Sequence, residues 1–155
     1  MRLQTFCEKA FQFRVHVDPF ATYDYVVLPE GQQPSVQLVS GPGVTWRAVV
    51  PTLCKTGQPF ALGIKVEDRW GNPSDRIEAS IRLRASGPIT GLPATIDVTP
   101  GQCCHRIEGL SSAQAGDYRI ELQDVEDRVL ARSNPLRIVE HSDFCHYWSD
   151  MHGQS

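Results

Sequence analysis

Apolar and polar residues alternate along much of the chain, and the alternation is clearest in three stretches. These are "PFALGIKVED" (residues 59–68), "IEASIRLRAS" (77–86) and "DYRIELQD" (117–124). In the first, Phe60, Leu62 and Ile64 fall on one side, and Lys65 falls on the other. Because successive side chains of a strand point to opposite faces, each stretch predicts a strand with one buried and one solvated face.

Weaker strand candidates surround these three. They are "FQFRVHV", "SVQLVS", "VTWRAVV", "ATIDV", "CCHRIEG", "RVLARS" and "PLRIVE". Glycine- and proline-containing turn signals separate them, namely "RWGNPSD", "SGPITGLP", "TPGQ" and "SAQAGD". No segment has a helical period. The pattern predicts an all-β protein with an immunoglobulin-like antiparallel β-sandwich.

Turn chemistry divides the chain into three parts. Residues 1–45 contain strand-like pieces but more loop, so we expect the tail of a preceding β-region and a linker. Pro34 and the Gly-Pro-Gly at 41–43 mark the boundary. One sandwich is predicted over 46–140, close to the ~100 residues of an immunoglobulin domain. Residues 141–155 are expected to be a linker followed by the start of another domain.

Two aromatic residues next to turns have alternative interpretations. Tyr118 follows a glycine turn at the head of a strand. This position suits either a tyrosine corner, in which the phenol bonds backbone a few residues upstream, or an ordinary core tyrosine. Trp70, in the corner "EDRWGNPSD", is either a binding aromatic or a cover over the end of the core, and we favour the cover.

Composition and charge narrow the class of protein. The chain is 41% hydrophobic and 21% charged, which is typical of a globular domain rather than a disordered segment. A net charge of -3 does not indicate a nucleic-acid-binding surface. No apolar run approaches the roughly 20 residues that span a bilayer. We therefore expect neither nucleic acid nor membrane as a partner.

The cysteines form no regular framework. Their number is odd, no Cys-x-x-Cys occurs, and a vicinal pair closes a disulfide only with strain. We expect mostly buried, reduced thiols at Cys7, Cys54, Cys103, Cys104 and Cys145.

Catalytic motifs are missing except for a group of potential ligands in the tail. No nucleophile elbow or phosphate-binding glycine loop occurs. The tail, "EHSDFCHYWSDMHGQS", carries imidazoles and carboxylates, the ligands that zinc or manganese uses. Its spacing matches no zinc motif, so its chemistry alone favours a solvated linker. The potential ligands are His141, Asp143, Cys145, His146, Asp150 and His152.

The last nine residues, "YWSDMHGQS", resemble the opening motif Tyr-Trp-Gly-Asp-Leu-His-Gly-Gln-Ser of a C-terminal domain. That domain occurs in a family of large, mostly bacterial proteins of uncharacterised function. It is similar to the polymerase-and-histidinol-phosphatase superfamily of metal-dependent hydrolases. "GQPFALGIKVEDRWGNPSD" and "RSNPLRIVEHSDFCHYW" resemble the β-rich region that precedes the domain, so the likeness extends from about Pro51 onward.

The resemblance implies one metal ligand in this chain. His152 matches the first histidine of the superfamily's opening His-x-His motif. Gln154 stands where the second histidine usually lies, and an amide is a weaker ligand than imidazole. Ser149 replaces the usual glycine. A catalytic ion needs about three protein ligands, so the divalent metal, of zinc or manganese type, is expected in a longer parent protein and no cofactor in this piece.

Two functional hypotheses follow. In the first, the chain is a non-catalytic module, not itself an enzyme, that flanks the hydrolase domain of its parent and has that domain as its partner. In the second, the sandwich recognises a glycan or a protein through Trp46, Trp70 and Tyr23. An intact small enzyme is the least favoured alternative. The exposure of these aromatics distinguishes the first two hypotheses.

Overall fold

The computed structural model describes residues 4–144, in which β-strands make up almost all the regular structure. A single 3₁₀ turn lies at Glu30–Gln32. The strands are β1 (Glu8–Gln12), β2 (His16–Val17), β3 (Val26–Val27), β4 (Ser35–Leu38), β5 (Thr45–Val49), β6 (Leu53–Lys55), β7 (Phe60–Glu67), β8 (Ala79–Ala85), β9 (Thr95–Val98), β10 (Cys104–Leu110), β11 (Gly116–Tyr118), β12 (Ile120–Gln123), β13 (Val129–Arg132) and β14 (Leu136–Val139).

Two layers of strands form the sandwich. One layer is the antiparallel sheet β10-β7-β5. The other combines the sheets β13-β12-β8-β9 and β11-β14-β6, which are continuous in sequence because β11 leads into β12 and β13 into β14. β5 of the first layer contacts β12 and β13 of the second. This architecture confirms the predicted all-β, immunoglobulin-like sandwich.

One strand pair departs from the expected antiparallel pattern. β6 pairs with β14 in parallel, with Cys54 opposite Ile138. A parallel pair needs a long connection between its strands. Here nearly the whole sandwich lies between β6 and β14, which satisfies that requirement.

The core follows directly from the alternation in sequence. Along β7 every second residue is buried, from Phe60 to Val66, and the residues between them face outward. All the buried apolar residues of the described chain lie between Trp46 and Ile138. They are Trp46, Ala48, Val50, Cys54, Phe60, Leu62, Ile64, Val66, Ile81, Leu83, Val98, Leu110, Tyr118, Ile120, Leu122, Leu136 and Ile138.

Tyr118 forms the tyrosine corner. Its side chain is buried, and its hydroxyl donates to the carbonyl oxygens of Gln114 and Ala115, each at 3.3 Å. Both interpretations of Tyr118 therefore apply. Its ring is part of the core, and its hydroxyl bonds the turn that precedes β11, as in a tyrosine corner.

The segment before the sandwich forms two small antiparallel pairs, β1 with β4 and β2 with β3. Its large apolar side chains are mostly solvent-exposed, among them Phe20, Tyr23 and Tyr25. The division at residue 45 stays a prediction, although the buried core begins at Trp46. Within residues 4–144, no helix is long and apolar enough to cross a membrane.

Candidate functional site

The corner after β7 is organised around one carboxylate. Asp68 accepts backbone hydrogen bonds from Gly41 at 3.0 Å and from Trp70 at 2.8 Å. Asn72 adds its backbone N–H and its side-chain Nδ2, each at 3.0 Å. Gly71 takes a φ of +86° inside this turn, a conformation that glycine adopts without strain. The residues Asp68 to Asn72 therefore form a turn that is held by hydrogen bonds to the Asp68 carboxylate.

Asn72 extends this corner to the start of the chain. Its Nδ2 donates to the carbonyl oxygen of Thr5 at 2.7 Å, and its Oδ1 accepts from the backbone N–H of Cys7 at 3.1 Å. Ser74 donates its hydroxyl to the carbonyl oxygen of Gly41 at 2.6 Å. Asp68, Asn72 and Ser74 are all buried. We call these three side chains the joint, because they fasten the N-terminal segment to the sandwich.

The charge of Asp68 is held in place by its hydrogen bonds. Burial raises the pKa of the Asp68 carboxyl, but the bonds from the Asn72 side chain and from the backbone of Gly41, Trp70 and Asn72 lower it more. The resulting pKa is about 2, against an ordinary value of 3.8. Asp68 is therefore ionised at neutral pH and can accept several donors at once.

An apolar cleft of about 660 Å³ lies against the joint. Its walls include four exposed apolar side chains, and the guanidinium of Arg69 lies 4.3 Å from the centre of the Trp70 ring. Asp68 and Asn72 also border the cleft. The exposed apolar residues are Phe6, Val39, Val44 and Trp70.

The three predicted contact aromatics have different environments. Trp46 is only 8% exposed and belongs to the core, so its assignment as a contact residue is wrong. Trp70, which we expected to cover the end of the core, is 53% exposed, so about half of its surface faces solvent. Tyr23 is 87% exposed but does not border the cleft around Trp70.

The predicted metal ligand, His152, lies outside the described residues, as do Gln154 and Ser149. His141 Nε2 and Asp143 Oδ1 are 3.0 Å apart and both side chains are exposed. Within residues 4–144, no three histidine, cysteine or acidic side chains come together as a metal-binding group.

The expectation that the cysteine thiols are mostly buried is wrong for the described residues. The four described cysteines are free, but only Cys54 is buried, and its burial raises the pKa of the thiol. Cys7 and Cys104 are exposed and Cys103 is half-buried. These thiols are not buried because of where they lie in the fold. Cys7 is in the exposed N-terminal segment, and Cys103 and Cys104 lie at the start of β10, an edge strand. Cys145 lies outside the described residues.

The residues of the joint were not identified as functional from the sequence. "EDRWGNPSD" signalled a corner, but its partners Thr5 and Cys7 are 67 and 65 residues away along the chain. A local turn pattern contains no information about such distant acceptors and donors.

No family model matches the chain, and no curated protein matches it. Its structure is similar to the D00-D0 domain of intimin, with a TM-score of 0.46 and 15% identity over 75% of this chain and 56% of that one. It is also similar to a β-glycosidase from Bacteroides vulgatus, with a TM-score of 0.49 and 14% identity over 72% of this chain and 16% of that one.

A third likeness is to the CARDB domain of a Pyrococcus furiosus protein, with a TM-score of 0.41 and 16% identity over 62% of this chain and 95% of that one. All three TM-scores lie below 0.5. The immunoglobulin-like assignment therefore depends on the strand order of this chain and not on these likenesses.

Proposed function

We propose that the chain is a non-catalytic immunoglobulin-like module that holds a metal-dependent hydrolase domain at a fixed position within a longer protein. The observation that carries the proposal is the joint. A spacer can transmit a fixed geometry only if its parts do not swivel. Partly buried hydrogen bonds supply that stiffness between the N-terminal segment and the sandwich: Asp68 accepts from Gly41, Asn72 donates to Thr5 and Ser74 donates to Gly41.

The second support is the resemblance of the last nine residues to the opening of such a hydrolase domain. In the parent, His152 would be one ligand of a divalent ion that activates water, and the remaining ligands would come from residues beyond Ser155. The segment at 141–144 then connects the sandwich to that domain. The partner proposed for the sandwich is accordingly the hydrolase domain of its own chain.

A hydrolysis assay tests the non-catalytic assignment. We expect the 155-residue chain to show no turnover of p-nitrophenyl phosphate, bis-p-nitrophenyl phosphate or p-nitrophenyl acetate with manganese or zinc added. The resemblance supplies one ligand, His152, and residues 4–144 hold no group of three potential ligands. Metal-dependent turnover that is lost in His152→Ala would refute the proposal. A metal-free sample and the His141→Ala variant serve as controls for adventitious hydrolysis.

A second candidate function is recognition of a glycan, and the half-exposed Trp70 beside the apolar cleft favours it. Aromatic rings of this kind bind the faces of sugars. Arg69 already packs over the ring, and Phe6 and Val44 widen the apolar surface around it.

Fluorescence titration separates the two functions. The spacer proposal expects no saturable change in tryptophan emission when soluble cello- or xylo-oligosaccharides are added. Saturable quenching that Trp70→Ala removes, and that Phe20→Ala retains, would instead assign the cleft to glycan recognition. Phe20 is a suitable control because it is equally apolar, 82% exposed, and not part of the cleft.

A further inference from the structure

Three arginines surround one cleft on the outer face of the four-stranded sheet. The cross-strand register places Arg84 of β8 opposite Glu121 of β12, and Glu121 opposite Arg132 of β13. Arg119, two residues before Glu121, lies on the same face. These four side chains, with Ala85 and Ser86, line a space of about 690 Å³.

The charges in this cleft do not cancel. Glu121 receives Arg132 Nε on one oxygen at 2.8 Å and Gln123 Nε2 on the other at 3.2 Å. Arg132 therefore neutralises Glu121, the only carboxylate among the described residues that line the cleft. The Arg119 side chain donates to a neutral acceptor, the carbonyl oxygen of Ser133. The Arg84 guanidinium has no hydrogen bond or ion pair with any residue between 4 and 144, although the backbone of Arg84 pairs with β12. Two guanidinium charges remain uncompensated.

One of these two groups is held in position. The backbone N–H of Arg119 donates to Ser86 Oγ and its carbonyl accepts from Ser86 N–H, both at 2.9 Å. Its Nη1 donates to the carbonyl oxygen of Ser133 at 3.0 Å. A guanidinium carries five N–H donors. Only Nη1 of the Arg119 guanidinium bonds to another residue between 4 and 144, so most of its N–H groups can bind a ligand. The backbone bonds to Ser86 hold the residue in position.

We propose that this cleft binds a phosphate monoester carried by a small polyhydroxylated molecule, that is, a sugar phosphate. A phosphate monoester carries nearly two negative charges at neutral pH, which matches Arg84 and Arg119, and arginine forks suit its oxygens. Glu121 has remaining lone pairs that accept hydroxyl groups and repel a second anion. The volume lies in the range of about 300–1,000 Å³ that is usual for small-ligand sites.

The overall charge argues for a small anion rather than a long polyanion. The chain has a net charge of -3, so its overall charge does not attract a polyanion. A nucleic acid would need a continuous track of basic residues. On the same strand and face, the next arginine, Arg82, is already paired with Asp127.

Isothermal titration calorimetry at low salt tests the site with glucose 6-phosphate, inorganic phosphate and glucose as probes. We expect saturable binding of glucose 6-phosphate, weaker binding of phosphate and none of glucose. Arg84→Gln and Arg119→Gln should each weaken binding by roughly 10- to 100-fold, since each removes charge-assisted hydrogen bonds. Arg84→Gln leaves no partner unpaired, so the fold is retained.

Arg82→Gln is the matched control, because it makes the same charge change on the same strand but outside the cleft. It should change the affinity by no more than about twofold. The proposal is overturned if glucose 6-phosphate does not bind, if phosphate binds as tightly as glucose 6-phosphate, or if Arg82→Gln weakens binding as much as Arg84→Gln. Tighter, Arg84-dependent binding of a duplex DNA oligonucleotide would also overturn it, in favour of a polyanion surface.

Discussion

At the scale of single residues, the packing of Tyr118 depends on Gly87, which lies in the loop between β8 and β9. A Cβ added to Gly87 would lie 2.2 Å from Cε1 and 2.4 Å from Cδ1 of Tyr118. The ring cannot move away freely, since its hydroxyl bonds the carbonyl oxygens of Gln114 and Ala115. Tyr118 could be recognised from "AGDY", whereas the role of Gly87 depends on packing that no local pattern describes.

We expect Gly87→Ala to destabilise the sandwich by about 1–3 kcal/mol, the usual cost of overpacking a filled site. Urea denaturation followed by tryptophan fluorescence measures the free energy of unfolding. Gly31→Ala is the matched control, because a Cβ there meets nothing within 4 Å. It should stay within about 0.5 kcal/mol of the unchanged protein. Equal stability of the two variants would contradict the steric argument.

At the scale of elements, regular alternation predicted the strands whose two faces differ in burial. β7, β8 and β12 fall inside the three clearest stretches, β5, β9, β13 and β14 fall inside weaker ones, and β10 extends one residue beyond its stretch. β3 and β6 were missed because they have only two and three residues. β6 exists because it pairs with β14 at the far end of the domain, and a pairing of that kind leaves no periodic signal.

Alternation also failed where a strand changes its partner. The stretch 117–124 is divided between β11, which pairs with β14, and β12, which pairs with β8 and β13. The division falls at Arg119, whose backbone bonds Ser86. Alternation puts Arg119 and Glu121 on one face, but the register that sets Arg84 opposite Glu121 is not contained in the sequence pattern.

At the scale of the whole molecule, the joint decides whether the N-terminal segment and the sandwich move together. The sequence indicated a boundary near residues 41–43, and the structure adds that Gly41 is bonded to both Asp68 and Ser74. The Gly-Pro-Gly segment that marks the boundary in sequence is therefore bonded to the sandwich and is not a flexible hinge. The proposed role as a rigid spacer requires these bonds to be strong under the conditions in which the protein works.

The low pKa of Asp68 predicts how the joint responds to acid. A carboxyl whose folded pKa lies below its unfolded value stabilises the fold above the unfolded value of 3.8, and loses that contribution as the pH falls towards its folded value of about 2. The joint should therefore be intact at neutral pH and weaken between about pH 4 and pH 2. Asp68→Asn should weaken it at neutral pH, because an amide offers one acceptor oxygen and directs its NH₂ towards groups that also donate.

Amide hydrogen exchange and urea denaturation at pH 7 and pH 2.5 measure this response. At pH 7 we expect Asp68→Asn to lower the unfolding free energy and to speed exchange at Gly41 and Trp70, whose N–H groups bond the carboxylate. At pH 2.5 the difference in unfolding free energy between the two proteins should shrink, because the unfolded Asp68 is then mostly protonated and most of the stabilising contribution of the ionised carboxylate is lost. Asp97→Asn, on the exposed face of β9, controls for the change in net charge. A stability difference between Asp68→Asn and the unchanged protein that is the same at both pH values would show that the ionised carboxylate does not stiffen the joint, and would remove the main support for a rigid spacer.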